Sequence, residues 1–245
     1  YPPDHAHHHG LWAAWTNTEF RGERPDFWNT PEGTGTVRVE AIDSSWSGPV
    51  AGGLRAIHRY VDRTGERPTT VLRERWTTRV FRVRGGSENT PYRLFDVDLH
   101  QVNVTDDPLV LPPYHYGGFA VRGHRSWNDT SRVHFLTSAG RDRSDGNETR
   151  ARWTHIGGTV EGSEVGLAVL SHPENFRSPQ PVRIHPTMPY FCYAPSQAGE
   201  WQIGPDETYE ARYRIVTYDG TPDPELLDRL WNAWAHPAEV TVEAL

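Results

Sequence analysis

The chain has 245 residues and a formal charge of −7 at neutral pH, with 25 basic residues, 32 acidic residues and a single cysteine, Cys192. A net acidic chain is not expected to bind nucleic acid, because nucleic-acid binders present basic surfaces. No apolar run approaches the roughly 20 residues of a membrane helix, so we expect no membrane partner. Every basic residue is an arginine, which excludes lysine chemistry within this chain. One cysteine excludes an intrachain disulfide and only slightly favours the cytoplasm.

Short runs of strand-forming residues, separated by glycine and proline, predict an all-β fold. We expect one domain over residues 1–245, an antiparallel β-sandwich with a short C-terminal helix. Two long alternating strands are predicted to form a hairpin about Gly85 and Gly86. The predicted strands are 36–42, 69–84, 92–105, 118–122, 132–137, 149–156, 165–171, 191–193 and 208–218.

One helix is predicted near the C-terminal end of the chain. Asp223 is a suitable N-cap, and Pro224 suits the first helical position. An apolar stripe then follows with helical spacing, comprising Leu226, Leu227, Leu230, Trp231 and Trp234. We therefore expect this helix to pack on the sandwich.

Four histidines lie within five positions near the start of the chain, in the segment 4–12. In an extended segment His5, His7 and His9 point to one side and His8 to the other. His5 and His7 can therefore offer two imidazoles to one divalent metal ion, with further ligands from elsewhere in the fold. Hydrogen bonding to substrate, proton transfer and a purely structural role remain alternatives. We predict His5 and His7 as metal ligands and His8 as a catalytic group.

Two further segments carry candidate catalytic side chains. His115 stands beside aromatic residues and a Gly-Gly pair, where backbone can approach a ligand closely. The segment 171–177 follows a predicted buried strand and holds His172, Glu174 and Asn175, the kind of loop in which sandwich proteins carry their sites. The structural alternatives are a surface turn for the His115 segment and a polar connection for the segment 171–177. We predict His115, His172 and Glu174 as catalytic and Asn175 as substrate-binding.

Arginine and tryptophan supply the remaining predicted substrate contacts. Arg122 and Arg183 lie in or beside predicted strands, and a guanidinium group reads carboxylates and vicinal oxygens through two hydrogen bonds. Trp12 and Trp153 lie near polar motifs, where their rings form platforms for sugars. Since there is no lysine, these arginines and protonated histidines supply every cationic side-chain contact.

The order of the motifs resembles a bacterial family known as PmoA-like, or "methane oxygenase PmoA". The resemblance covers nearly the whole chain and rests on residues 4–12, 116–127, 150–153, 172–177 and 204–220. Two positions differ, because family members usually have arginine at His9 and many have an acidic residue at Tyr116. Members also normally begin earlier, so we expect N-terminal strands to be missing from this chain. The resemblance implies a soluble β-sandwich with sugar-handling genomic neighbours, and not a membrane methane oxygenase.

These observations lead us to expect a carbohydrate-related enzyme, a hydrolase, lyase or isomerase, with a histidine-rich site. Its partner would be a small-molecule or oligosaccharide substrate, and its cofactor one divalent metal ion acting as a Lewis acid or activating water. Two alternatives remain open at this point: a non-catalytic sugar-binding module, and a redox protein with copper or non-haem iron.

Overall fold

The computed structural model describes residues 5–83, 92–239 and 241. The described residues form strands separated by turns and short 3-10 segments, and one α-helix, α1 (Pro224–Ala235). The strands are β1 (Leu11–Ala14), β2 (Gly35–Trp46), β3 (Ala51–Asp62), β4 (Thr69–Phe81), β5 (Tyr92–Asn103), β6 (Leu109–Leu111), β7 (Gly118–Arg122), β8 (Val133–Thr137), β9 (Thr149–Arg150), β10 (Trp153–Val160), β11 (Ser163–Ser171), β12 (Pro181–Ile184), β13 (Tyr190–Tyr193), β14 (Trp201–Ile203) and β15 (Thr208–Asp219).

Two antiparallel sheets form the sandwich. The larger sheet has eight strands in the order β2-β3-β4-β5-β15-β11-β10-β8, and the smaller has five in the order β1-β7-β13-β12-β9. Strands β14 and β6 form a separate two-stranded sheet. The prediction of an all-β antiparallel sandwich is confirmed.

The main core lies between the two sheets. Phe119 of β7 stacks on Tyr213 of β15, with ring centroids 4.2 Å apart. Tyr60 of β3 donates its hydroxyl to the carbonyl oxygen of Ala13 in β1, at 2.9 Å. Side chains alternate along each strand, so one face of every central strand enters this core and the other faces away. The outer face of the smaller sheet is therefore available for a site.

The helix α1 packs on the outer face of the larger sheet, as its apolar stripe predicted. Leu227 is buried there with Leu170 and Val216, and Trp231 donates its indole N–H to the carbonyl oxygen of Ser171 at 2.8 Å. Asp223 caps the helix by accepting a hydrogen bond from the backbone N–H of Leu226. None of the helices in the described part of the chain has the length and apolar character of a membrane crossing.

The structure corrects one predicted strand, 149–156. This segment divides into β9, in the smaller sheet, and β10, in the larger sheet. The break falls at Ala151 and Arg152, where the backbone N–H of Arg152 is satisfied by the Ser138 hydroxyl. The predicted long strands pair as β4 and β5, while their expected turn at Gly85 and Gly86 lies outside the described residues. Sequence reasoning missed β1, β3, β6, β12 and β14.

The two sheets differ in width, and the smaller one ends at β1. Near this edge, part of the inner face of β2, β3 and β4 lines an open groove, although Tyr60 of β3 contacts β1 and Trp76 of β4 packs against Phe119 of β7. The resulting groove is lined by residues of both sheets and of the segment before β1.

Candidate functional site

The outer face of the smaller sheet carries a row of predicted site residues. The strand register aligns Trp12 with Ala120, Ala120 with Cys192, and Cys192 with Arg183. Because paired residues project to the same face, these four side chains form a row. Trp12 and Arg183 lie at its two ends, and the two middle side chains are small. Ala120 and Cys192 are fully buried in this layer. The face is thus shallow in the middle and bounded by larger polar and aromatic side chains.

A cavity of about 140 Å³ opens on this face, and we call it the histidine pocket. Its lining is made of histidines, aromatic rings and a few polar groups: His5, His7, His8, Trp28, Asn29, His115, Tyr116, Arg183, His185, Met188 and Tyr190. Four of the histidines singled out in the sequence therefore meet around one cavity.

The rings of the N-terminal histidines pack against one another and against the sheet. The ring centroid of His8 lies 4.7 Å from that of His5 and 4.6 Å from that of His7. On its other side, His8 stacks on Trp12 at 4.9 Å with an interplanar angle of 23°. His8 is buried, so this stacking fixes the segment to the outer face of β1.

Arg122 sets the hydrogen-bonding state of His8. Its guanidinium donates to His8 Nδ1 at 3.2 Å and to the Asn128 side-chain oxygen at 2.7 Å. A guanidinium group has no acceptor, so Nδ1 of His8 must be the unprotonated nitrogen. His8 therefore keeps its ring N–H at Nε2.

His185 is held in the same tautomer by the backbone. Its Nδ1 accepts hydrogen bonds from the N–H groups of Thr187 at 3.2 Å and Met188 at 2.9 Å. Partial burial, followed by the positive charge of Arg183, lowers the pKa of His185 to about 4. At neutral pH His185 is a neutral ring whose Nε2–H can donate to a ligand oxygen.

Two other histidines of the pocket are also biased toward the neutral form. Burial is the main cause of the lowered pKa of His7, with His5 adding to it. Burial and then Arg183 lower the pKa of His115. The Nδ1 of His7 is buried with no hydrogen-bond partner among the described residues. A neutral histidine with an unengaged nitrogen can accept a proton from a bound molecule.

A tyrosine and an asparagine form the opposite wall of the pocket. Asn29 donates from its amide to the Tyr116 hydroxyl oxygen at 2.8 Å and to an Asp26 carboxylate oxygen at 2.9 Å. Asp26 also accepts from the Thr16 hydroxyl at 2.7 Å and from the backbone N–H groups of Trp28 and Asn29. The carboxylate therefore holds the wall rigid instead of facing a ligand.

His115 joins the histidine pocket to a second cavity of about 380 Å³. This second cavity is polar and is lined by Tyr114, His115, Glu148, Arg150, Pro181, Gln197 and Ala198. The two cavities adjoin at His115, and we refer to them jointly as the polar cleft.

The structure places the predicted site residues in two separate regions. The polar cleft or its immediate support includes His5, His7, His8, Trp12, His115, Arg122 and Arg183. The other four lie beside α1 or in the loop before β12: Trp153, His172, Glu174 and Asn175. The structure does not bring this second group to the histidine pocket.

The contacts of the second group are structural. Trp153 is buried and donates to an Asp228 side-chain oxygen of α1 at 2.8 Å. The ring of His172 packs edge-on against Trp234, with centroids 4.8 Å apart. Glu174 is exposed and pairs with Arg212. Asn175 bridges to the Arg212 backbone, accepting from its N–H and donating to its carbonyl oxygen.

The predicted metal ligands His5 and His7 are neighbours, with ring centroids 5.5 Å apart. Across residues 5–83, 92–239 and 241, no group of three or more histidine, cysteine, aspartate or glutamate side chains is arranged to hold a metal ion. A metal at His5 and His7 stays a prediction that needs a further ligand.

Sequence reasoning missed His185, Tyr190, Trp28 and Asn29. His185 follows β12 and precedes a proline, just as His172 follows β11 and precedes a proline. That shared context was the available signal, but only strand pairing shows which of the two reaches the cleft.

The fold and the cleft define a β-sandwich protein with a histidine-lined polar site on its smaller sheet. Residues 1–232 match the family described as "Family of unknown function (DUF6807)", and the chain belongs to this family. No curated protein matches the chain.

Proposed function

We propose that the protein is a carbohydrate-related enzyme that binds an oxygen-rich, sugar-derived substrate in the polar cleft and moves protons with its histidines. The observation that carries this proposal is the meeting of His5, His7, His8 and His115 with Arg183 at one cavity. These residues come from three distant parts of the chain. They converge on the outer face of the smaller sheet, outside the main core between the sheets.

The fixed donors of the pocket favour a ligand rich in acceptor oxygens. His185 keeps an Nε2–H, because its Nδ1 already accepts hydrogen bonds from two backbone N–H groups. Arg183 adds a cation, and its Nε has no partner among the described residues. Sugar hydroxyls and carboxylates offer the acceptors that such a set can bind. The rings of Trp28 and Tyr190 supply apolar faces beside these donors.

Hydrolysis, elimination and isomerisation all require one group that takes a proton and another that gives it. His7 suits the first role, because its Nδ1 is unengaged and its pKa is lowered. His115 lines both cavities, and its lowered pKa suits it to the same role. A histidine that has taken a proton can give it back in a later step.

A metal-dependent form of the proposal uses His5 and His7 as ligands and adds a ligand from the substrate or another residue. A bound divalent ion would polarise a sugar oxygen or lower the pKa of a water molecule. Metal analysis of protein purified without a histidine tag, with turnover measured before and after chelation, distinguishes a metal-dependent enzyme from one that uses histidines alone. Stoichiometric metal and turnover lost on chelation support the metal-dependent form.

The direct test is a turnover screen over aldoses, uronates, aldonolactones and glycosides, with products followed by NMR. We expect His7→Asn to lower the turnover of a substrate by at least about 100-fold, the usual contribution of a positioned acid or base. His9→Asn is the matched control, because His9 lies two residues away and does not line the histidine pocket. Equal turnover in the parent and in His7→Asn contradicts the catalytic role.

A sugar-binding module without catalysis is the second candidate, favoured by the aromatic rings around the pocket. Trp28 lies edge-on to Tyr116, with centroids 5.3 Å apart, and Tyr190 lies 5.0 Å from His8. Saturable glycan binding without product formation, lost in Arg183→Ala, would support this candidate over the enzyme.

A further inference from the structure

The groove beyond β1 is a second concave site, which adjoins the histidine pocket and shares His7 and Trp28 with its lining. Its volume is about 430 Å³, within the range of small-molecule sites. Its walls are largely apolar and include the rings of Phe27, Trp28 and Trp76, together with Val39 and Ile42 at its lip. Val39 and Ile42 are 65% and 63% exposed, although they lie on a strand of the sandwich. The larger sheet thus presents an uncovered apolar surface.

A carboxylate–imidazole pair lies in this otherwise apolar lining. His58 Nδ1 and Glu74 Oε2 are 2.6 Å apart, and the Glu74 side chain is 1% exposed. Glu74 Oε1 also accepts from the Gln101 amide at 2.7 Å. The Tyr60 hydroxyl oxygen lies 3.3 Å from the same atom, while its proton goes to the Ala13 carbonyl oxygen at 2.9 Å. A carboxylate oxygen accepts, so the proton of this contact lies on His58 Nδ1. The other nitrogen, Nε2, is then a hydrogen-bond acceptor.

Two side chains that line the groove each have a ring nitrogen without a hydrogen-bond partner among the described residues. No described residue hydrogen-bonds to His58 Nε2, and His58 lines the groove. Trp12 also lines the groove, is 8% exposed, and its indole Nε1–H is buried without a partner among the described residues. Buried polar groups are nearly always satisfied, so this N–H needs an acceptor, which a ligand oxygen or a water molecule can supply.

We propose that this groove binds a phenol, that is, an aromatic ring carrying a hydroxyl group. The flat ring matches the aromatic walls. A hydroxyl both donates and accepts, so it can donate to His58 Nε2 and offers lone pairs to an N–H such as that of Trp12. An ammonium group has three protons to satisfy, and a carboxylate has none to give to Nε2. The proposed polar contacts of the phenol are with His58 and Trp12, so the proposal does not depend on the sugar chemistry, although His7 lines both sites.

The test compares p-cresol with toluene, which has the same ring and methyl group but lacks the hydroxyl. Binding to the full chain is measured by isothermal titration calorimetry at neutral pH. Toluene is the more hydrophobic of the two, so a groove that is only apolar binds toluene more tightly. We expect p-cresol to bind about tenfold more tightly, because its hydroxyl satisfies buried polar groups. Equal or tighter binding of toluene overturns the proposal.

Two variants test whether p-cresol binds in the groove. Ile42→Glu puts a charge on the exposed lip and should abolish p-cresol binding without disturbing the core. Val50→Glu is its control, because Val50 is 70% exposed and does not line the groove. The double variant His58→Leu/Glu74→Gln removes the acceptor without leaving a buried charge unpaired, and should reverse the preference to toluene. Unchanged p-cresol binding in Ile42→Glu overturns the proposal even where the double variant does not fold.

Discussion

His155 provides a quantitative test of the sandwich, because it is a titratable side chain with no access to solvent. It lies on β10, is 0% exposed, and its Nδ1 lies 2.5 Å from the Tyr218 hydroxyl. The fold reserves space for its ring, since a Cβ added to Gly157 or Gly166 would lie 2.6 Å from a His155 ring carbon. Burial, with a smaller effect of His134, lowers the pKa of His155 from 6.5 to about 3.

This shift makes the free energy of unfolding depend on pH. The unfolded chain takes up the proton near pH 6.5, whereas the folded chain resists it until about pH 3. The contribution of the neutral ring is therefore complete above about pH 6.5 and is lost as pH falls toward 3. At about 1.4 kcal/mol per pKa unit, the full contribution is about 5 kcal/mol. About 2 kcal/mol of it is lost between roughly pH 7 and pH 5.

His155→Asn isolates this contribution, because asparagine offers an oxygen to Tyr218 but does not titrate. Urea unfolding of the parent and the variant is followed by circular dichroism at about pH 7 and pH 5. The variant is less stable at pH 7, because a smaller side chain leaves a cavity. We expect the gap between the two proteins to close by about 2 kcal/mol at pH 5. Other histidines titrate in both proteins and cancel. A gap that stays constant with pH refutes the reasoning.

Three further changes test other parts of the structure. His172→Asn should leave turnover, measured by steady-state kinetics, within about twofold of the parent, because the His172 ring packs against α1 and lies outside the cleft. Asp223→Ala should lower the free energy of unfolding by about 1 kcal/mol in urea titrations, because it removes the N-cap of α1. Gly118→Ala should cost more than about 2 kcal/mol in the same assay, because φ is +116° and the new Cβ would meet a carbonyl oxygen at 2.3 Å.

The helix was predictable because its signals are local. Its N-cap, its first-turn proline and its apolar stripe lie within 12 consecutive residues, and the structure confirms each of them. The strand β3 was missed for the opposite reason. It begins with Ala51, Gly52 and Gly53, which have weak strand preference, and its pairing with β2 and β4 stabilises it instead.

The candidate site was predicted in part. The extended-segment prediction placed His8 on the side opposite His5 and His7, and this was wrong. A turn in which the His8 N–H donates to the His5 carbonyl oxygen at 2.9 Å brings the three rings together. The choice between His172 and His185 could not be made from sequence, because each follows a strand and precedes a proline. β11 belongs to the larger sheet and β12 to the smaller one, so the two histidines reach different layers. Sheet membership depends on long-range pairing, which no local pattern contains.

The central claim is that the polar cleft binds the sugar-derived substrate. A crystal structure of the protein with a ligand found in the turnover screen tests this claim most directly. We predict ligand oxygens within hydrogen-bond distance of Arg183 and of His185 Nε2. A ligand bound instead against His172 and Glu174 would contradict the account.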